Sequence, residues 1–170
     1  VYPDYPRNGD AALAMGALGR VTTHLVMPSG LGSGTPLIQH GRHGQADSNA
    51  GVAMVVECGQ HFKQAAADVA TATALDFLAH FGLIDAAEPA PAQPAPQRRL
   101  ALLQTRMVQT PEFRFARPLK GFDVFAKDEL IATDGDADEI RAPCDDCTIM
   151  MPARVPIVGR EAVYLTQPMV

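Results

Sequence analysis

The segment AAEPAPAQPAPQ, Ala86 to Gln97, constrains the fold more than any other stretch of this chain. Alternating alanine and proline cannot continue a helix, because each proline lacks an N–H and its ring clashes with the preceding turn. Nor can it supply the donors of a sheet ladder. Such runs form extended polyproline II spacers. The chain is therefore expected to form two pieces, residues 1–85 and 98–170, joined by a linker over 86–97. No internal repeat relates the two sides.

Before the linker the pattern is α/β. Asp10 to Leu18 suits a helix, with Asn8 or Asp10 as its cap and Gly19 as its stop. Thr22 to Met27 suits a short strand, and Pro28 to Asn49, rich in Gly, Ser and Pro, reads as a long loop. Val52 to Glu57 is a continuous apolar run, as expected of a strand buried on both faces of a parallel sheet. Lys63 to Phe81 is a helix with one apolar stripe, Val69, Ala72, Leu75, Leu78 and Phe81, and Gly82 supplies the left-handed residue that ends it.

After the linker short strands are expected over Leu100–Gln109, Phe122–Phe125, Leu130–Thr133, Thr148–Met151 and Ala162–Thr166. Asp-Gly, Pro and Gly separate them, and a further strand follows the Asp134-Gly135 turn. The expected architecture is an α/β piece followed by a small all-β, barrel-like module. The module is similar to the lipoyl and biotinyl type. The cofactor lysine of that type has no counterpart here, since Asp145-Asp146-Cys147 fills the turn.

Charge and cysteine content narrow the function classes. The 170 residues carry 14 basic and 19 acidic side chains, a net charge of -5. Nucleic-acid binding ordinarily needs a basic patch, and the tight pair Arg98-Arg99 reads as a solvated strand start. Three cysteines, an odd number, argue against a disulfide scaffold and fit a reducing, cytoplasmic compartment. No apolar run approaches the ~20 residues of a membrane span. The opening VYPDYPRNGD, with no methionine, reads as the middle of a longer protein.

The chemistry concentrates in VAMVVECGQHF, Val52 to Phe62. Ligands of doubly wound sheets sit at the carboxyl ends of strands. Glu57 at such an end is either a proton-moving group at a cleft or a cap for the N–H groups of the next loop. Cys58 and His61 allow a rival thiol–imidazole reading, against Cys58 as a small core residue. His61 itself is either a cleft residue beside Glu57 or a helix-entry histidine bonded to backbone. His40 and His43 have i, i+3 spacing but lie in a loop with no third ligand, so they read as surface residues. Cys144-Asp-Asp-Cys147 is a lone CxxC with no second ligand pair and reads as a turn between strands. Asp134, Asp136 and Asp138 mimic the start of a calcium loop, yet Glu139 and Asp145 stand where Gly and Glu are required. They read as an acidic, solvated turn.

VVECGQHF with the following helix ending FLAHFGLID resembles the catalytic-glutamate strand and helix of the succinylglutamate desuccinylase/aspartoacylase family. The resemblance extends through SGTPLIQHGRHG upstream, and through FRFARPLKGFDVF, LIATDGD and IRAPCDDCTIMMPAR downstream. It implies part of a carboxypeptidase-like zinc-hydrolase domain followed by the family's β domain. It implies Glu57 as general base and acid, taking a proton from zinc-bound water and returning it to the leaving amine. Arg42, by the same resemblance, would hold a substrate carboxylate; His61, as a cleft residue beside Glu57, is expected in a substrate-binding role. The partner would be a small N-acyl amino acid or related amide, with neither nucleic acid nor membrane. The family's His-x-x-Glu pair and later Asp-x-His have no match here, so zinc is expected for a longer protein and no metal ligand in this chain. His24, in TTHLVM, matches the strand after that ligand region. The rival function is a non-catalytic β-barrel binding or scaffold module with an α/β remnant.

Overall fold

The computed structural model describes residues 5–27, 36–45, 51–86, 91–136 and 138–169. The chain divides into two compact units, Val1–Arg98 and Arg99–Val170.

In the first unit, helix α1 spans Pro6–Ala17. It starts four residues before the expected Asp10, because Pro6 presets the helical φ and needs no N–H partner at that position. Asn8 and Asp10 are therefore inside the helix. Asn8, Ala11, Ala12, Met15 and Gly16 recur at helical spacing and form its buried face. Strand β1, Thr23–Val26, follows. The described part of the next loop forms two 3-10 turns, Leu37–Gln39 and Gly41–Gly44. The rest of the expected loop, 28–35 and 46–49, lies outside the described residues.

The apolar run 51–58 forms no strand. Ala53 N–H donates to the Asn8 side-chain Oδ1 at 3.0 Å instead of to a sheet neighbour. Val55 is 65% exposed, so the expected burial on both faces is corrected: without flanking strands, an apolar run is only an extended segment.

Helix α2 spans Gln64–His80. The expected stripe is rotated: Leu75, Leu78 and Phe81 are exposed, while Thr73 is buried with Val69, Asp76 and Phe77 half-buried. The helix is apolar on several faces, and its sequence alone could not say which one packs. Residues 91–97 form no ladder, but they are tied to this unit. Ala95 N–H donates to Ala17 O at 3.0 Å, and Arg98 N–H to Thr22 O at 2.9 Å. His24 Nε2 and Gln97 Oε1 lie 2.6 Å apart. A methyl group on Gly16 would overlap both side chains, so one of them would have to move.

The second unit is all-β. Its strands are β2 (Arg98–Met107, whose first residue closes the first unit), β3 (Arg114–Phe115), β4 (Val124–Phe125), β5 (Leu130–Asp134), β6 (Asp138–Arg141), β7 (Cys147–Met150) and β8 (Glu161–Met169). Strands β2, β8, β7 and β4 hydrogen-bond in that order, and β3, β5 and β6 form a second sheet; the pairings are antiparallel. Among the described residues these sheets do not close into a barrel. Phe125, Ile131, Ile140, Ile149, Val163 and Leu165 form the centre of a continuous core.

The Asp134 turn differs from the solvated turn expected. Its carboxylate is buried and accepts from Gln109 N–H at 2.6 Å, Thr110 N–H at 2.8 Å and the Thr110 hydroxyl at 2.7 Å. Burial pushes its pKa up, but these bonds outweigh it and leave the carboxyl below its usual 3.8. Asp138 instead pairs with Arg106 at 2.8 Å. Cys147 is buried at the start of β7. Burial first, then the neighbouring Cys144, push its thiol up to about 11.

Candidate active site

Residues 59–62 form the turn between the extended run and α2. Phe62 takes a left-handed φ of 68° and is fully exposed. Such a conformation costs an L-residue about 1–2 kcal/mol, and no burial of the ring offsets it. Lys63 caps α2 without a side-chain cap bond, while Ala66 N–H donates to Lys63 O at 3.0 Å.

Against this turn lies an open hollow of about 510 Å³, whose lining includes Glu57, Cys58, His61, Phe62, Lys63 and Gln64. Glu57 is exposed, although the run before it reads as a strand buried on both faces. Among the described residues its carboxylate has no hydrogen-bond partner, so it does not cap the following loop. His61 lines the same hollow, also exposed, with its ring 6.2 Å from that of Phe62. Cys58 is half-buried, and its Sγ approaches Val56 O at 3.6 Å. Gln64 Nε2 donates to Asp68 Oδ1 at 2.8 Å, one helical turn on.

Arg42 lies elsewhere. It lines a second hollow of about 640 Å³ within the same unit, with Arg7, Asp10, His43, Phe77 and His80 among its neighbours. His43 is half-buried and its Nδ1 has no hydrogen-bond partner, unlike the surface histidine expected. Among the described residues, no three His, Cys, Asp or Glu side chains come together to hold a metal ion. No described helix is long and apolar enough to cross a membrane.

The sequence reading missed the rim of the first hollow and the second hollow altogether. The i, i+3, i+4 recurrence of Phe77, His80 and Phe81 was a readable signal for the latter. Nothing local in the sequence marks Arg7 as their neighbour.

No family model matches the sequence, and no curated protein matches it. The fold does have matches among solved structures. Succinylglutamate desuccinylase of Vibrio parahaemolyticus aligns with 99% of this chain at a TM-score of 0.62 and 16% identity. The Vibrio cholerae succinylglutamate desuccinylase aligns with 93% at 0.57 and 18% identity. The fold resembles theirs. An aspartoacylase family protein from Mesorhizobium loti aligns with 97% of the chain at 0.58 and 12% identity. The chain spans about half the length of these structures: 47%, 44% and 48% of each.

Proposed function

We propose that this chain is part of an amide hydrolase that cleaves an N-acyl amide bond, with Glu57 moving the proton. One observation carries the reading. Glu57 stands at an open hollow at the entry to α2, its carboxylate without a described partner, in a fold similar to that of the desuccinylases. A carboxylate so placed can accept a proton from water. The water oxygen attacks the acyl carbon, the carbon–nitrogen bond breaks, and Glu57 returns the proton to the departing nitrogen. A carboxylic acid and an amine leave. His61, on the same hollow, is assigned to substrate binding.

Zinc, implied by the family resemblance, does not fit the described residues of this chain, because no three donors converge. In this reading its ligands belong to residues of the whole protein beyond these 170. Residues 1–85 then form part of a carboxypeptidase-like α/β domain. Residues 98–170 form a separate all-β module, and 86–97 form the linker. The substrate is a small N-acyl amino acid or related amide, and the compartment is cytoplasmic.

The test is release of amine from a panel of N-acyl amino acids by the complete gene product. Activity lost in Glu57→Gln and retained in Cys58→Ala supports the reading. Activity that survives a chelator and disappears in Cys58→Ala transfers the chemistry to the thiol. The second reading is a non-catalytic β binding or scaffold module. It is favoured by the concentration of the largest fully buried side chains in the second unit. Absence of amine release across the panel would support it.

A further inference from the structure

We propose that Cys144 and Cys147 are a reversible disulfide site, closed by thiol–disulfide exchange with a small disulfide such as oxidised glutathione. Three features of the second unit carry this. The first is spacing. Residues 145 and 146 form the turn between β6 and β7, with Cys144 and Cys147 at its two ends. A four-residue turn holds its end Cα atoms less than about 7 Å apart, and a disulfide spans about 4.4–6.8 Å. Asp146 takes a left-handed φ of 53°, as central residues of several tight turns do. The turn is tied down on both sides. Asp145 Oδ1 accepts from Lys127 N–H at 3.2 Å, and the Thr148 hydroxyl donates to Asp146 O at 3.2 Å. The two side chains meet through a hydrogen bond between their thiols.

The second feature is the pair's chemistry. Both cysteines are free thiols. Among the described residues no third His, Cys, Asp or Glu joins them in a group that could hold a metal ion, and a structural zinc needs four donors. The bond open to the pair is the one between its own sulfurs. A ring closed across two residues restrains the unfolded chain little, and a sulfur near the surface leaves the bond open to reduction.

The third is asymmetry. Cys147 belongs to the buried core and lies opposite Phe125 in the β4–β7 pair. Cys144 is half-buried and packs against the edge of the same core. Burial first, then the neighbouring Cys144, hold the Cys147 thiol at about 11 in place of 9.0. Such a thiol is about a hundredfold less ionised at neutral pH, and its stronger intrinsic nucleophilicity returns only about tenfold. Exchange therefore enters at Cys144. Its thiolate attacks one sulfur of oxidised glutathione and expels one glutathione thiolate, leaving a mixed disulfide. Cys147 gives its proton to solvent, attacks Cys144 Sγ and expels the second glutathione. The two protein thiols lose two electrons and two protons, and one small disulfide becomes two glutathione thiols. Neither Glu57 nor Cys58 takes part, so the inference stands whatever group performs the hydrolysis.

The test incubates the chain with oxidised and reduced glutathione at set ratios, blocks the remaining thiols with iodoacetamide and reads tryptic peptides by mass spectrometry. Residues 142–154 form one such peptide, which carries both cysteines and not Cys58. It is expected to hold an internal disulfide that reduced glutathione removes. Cys147→Ser should trap a glutathione adduct on Cys144, and Cys147→Ala serves where the hydroxyl prevents folding. In Cys144→Ser, Cys147 should take up glutathione about tenfold more slowly or worse, and the difference should vanish in urea. Circular dichroism confirms that each variant is folded; should none fold, the wild-type peptide decides alone. No internal disulfide at any ratio, or one that reduced glutathione leaves intact, would overturn the proposal. So would a folded Cys144→Ser whose Cys147 reacts as fast as Cys144 does in Cys147→Ser.

Discussion

The two units differ in how densely their side chains are packed. In the second, Phe125, Leu100, Ile131, Ile149, Leu165 and Val163 are all buried below 2% exposure, and turn carboxylates such as Asp134 are saturated with donors. In the first, the buried apolar residues among those described are Ala11, Ala12, Met15, Val26 and Ile38, and both hollows open among exposed polar groups. A densely satisfied unit leaves few groups to do chemistry. A sparsely packed one leaves Glu57, His61 and Arg42 available, at a cost in stability. On the proposed reading, scaffold and chemistry are separated along this chain.

That comparison can be broken by mutation, beginning where the effect is largest. Leu165→Ala in the second unit should cost about 3–5 kcal/mol in urea denaturation, the transfer free energy of the lost atoms plus a cavity. A loss below about 1 kcal/mol would mean that the core is not packed as described. Asp134→Asn should cost about 1–3 kcal/mol at neutral pH, because the N–H groups of Gln109 and Thr110 lose a charged acceptor. The Asp134 pKa is lowered from 3.8 on folding, so its contribution is full above that value and fades as pH falls through the lower folded value. The gap between wild type and Asp134→Asn should therefore close on acidification below 3.8, which denaturation across pH checks.

Effects in the first unit should be smaller. Gly16→Ala would ordinarily stabilise a helix by about 0.5–1 kcal/mol. Here the methyl displaces Gln97 and crowds His24, and losing that partly buried hydrogen bond costs about 1–3 kcal/mol. The expected sum is a net loss of about 1 kcal/mol; stabilisation would show that the Gln97 contact is dispensable. Leu75→Ala on the exposed face of α2 should change stability by about 0.5 kcal/mol or less. A cost like that of Leu165→Ala would erase the contrast between the units.

Much of the second unit was legible in the sequence because strand alternation and Asp-Gly, Pro and Gly turns are local signals. Most expected strands reappear within a few residues of their places, and the β8 extension to Met169 comes from pairing with β2, which no local pattern announces. Strand β3, two residues long, was missed because it exists only through its partner β5. The first unit was less legible. The start of α1 turned on Pro6, and Asn8 looked like a cap when its side chain serves Ala53. The run 52–57 had the composition of a buried strand, but a strand needs neighbours that composition cannot supply. Glu57 and His61 line one hollow, while Arg42, fifteen residues before Glu57, lines another. Asp134 looked solvated because acidic turns usually are; its burial depends on the backbone of Gln109 and Thr110, distant in sequence.

The most direct measurement of the central claim is the turnover of Glu57→Gln in the complete gene product, with kcat and KM determined separately on an N-acyl amino acid. Removing a proton-transfer group should lower kcat by about 10²–10⁴-fold with KM little changed. An unchanged kcat, or a defect confined to KM, would contradict the role assigned to Glu57.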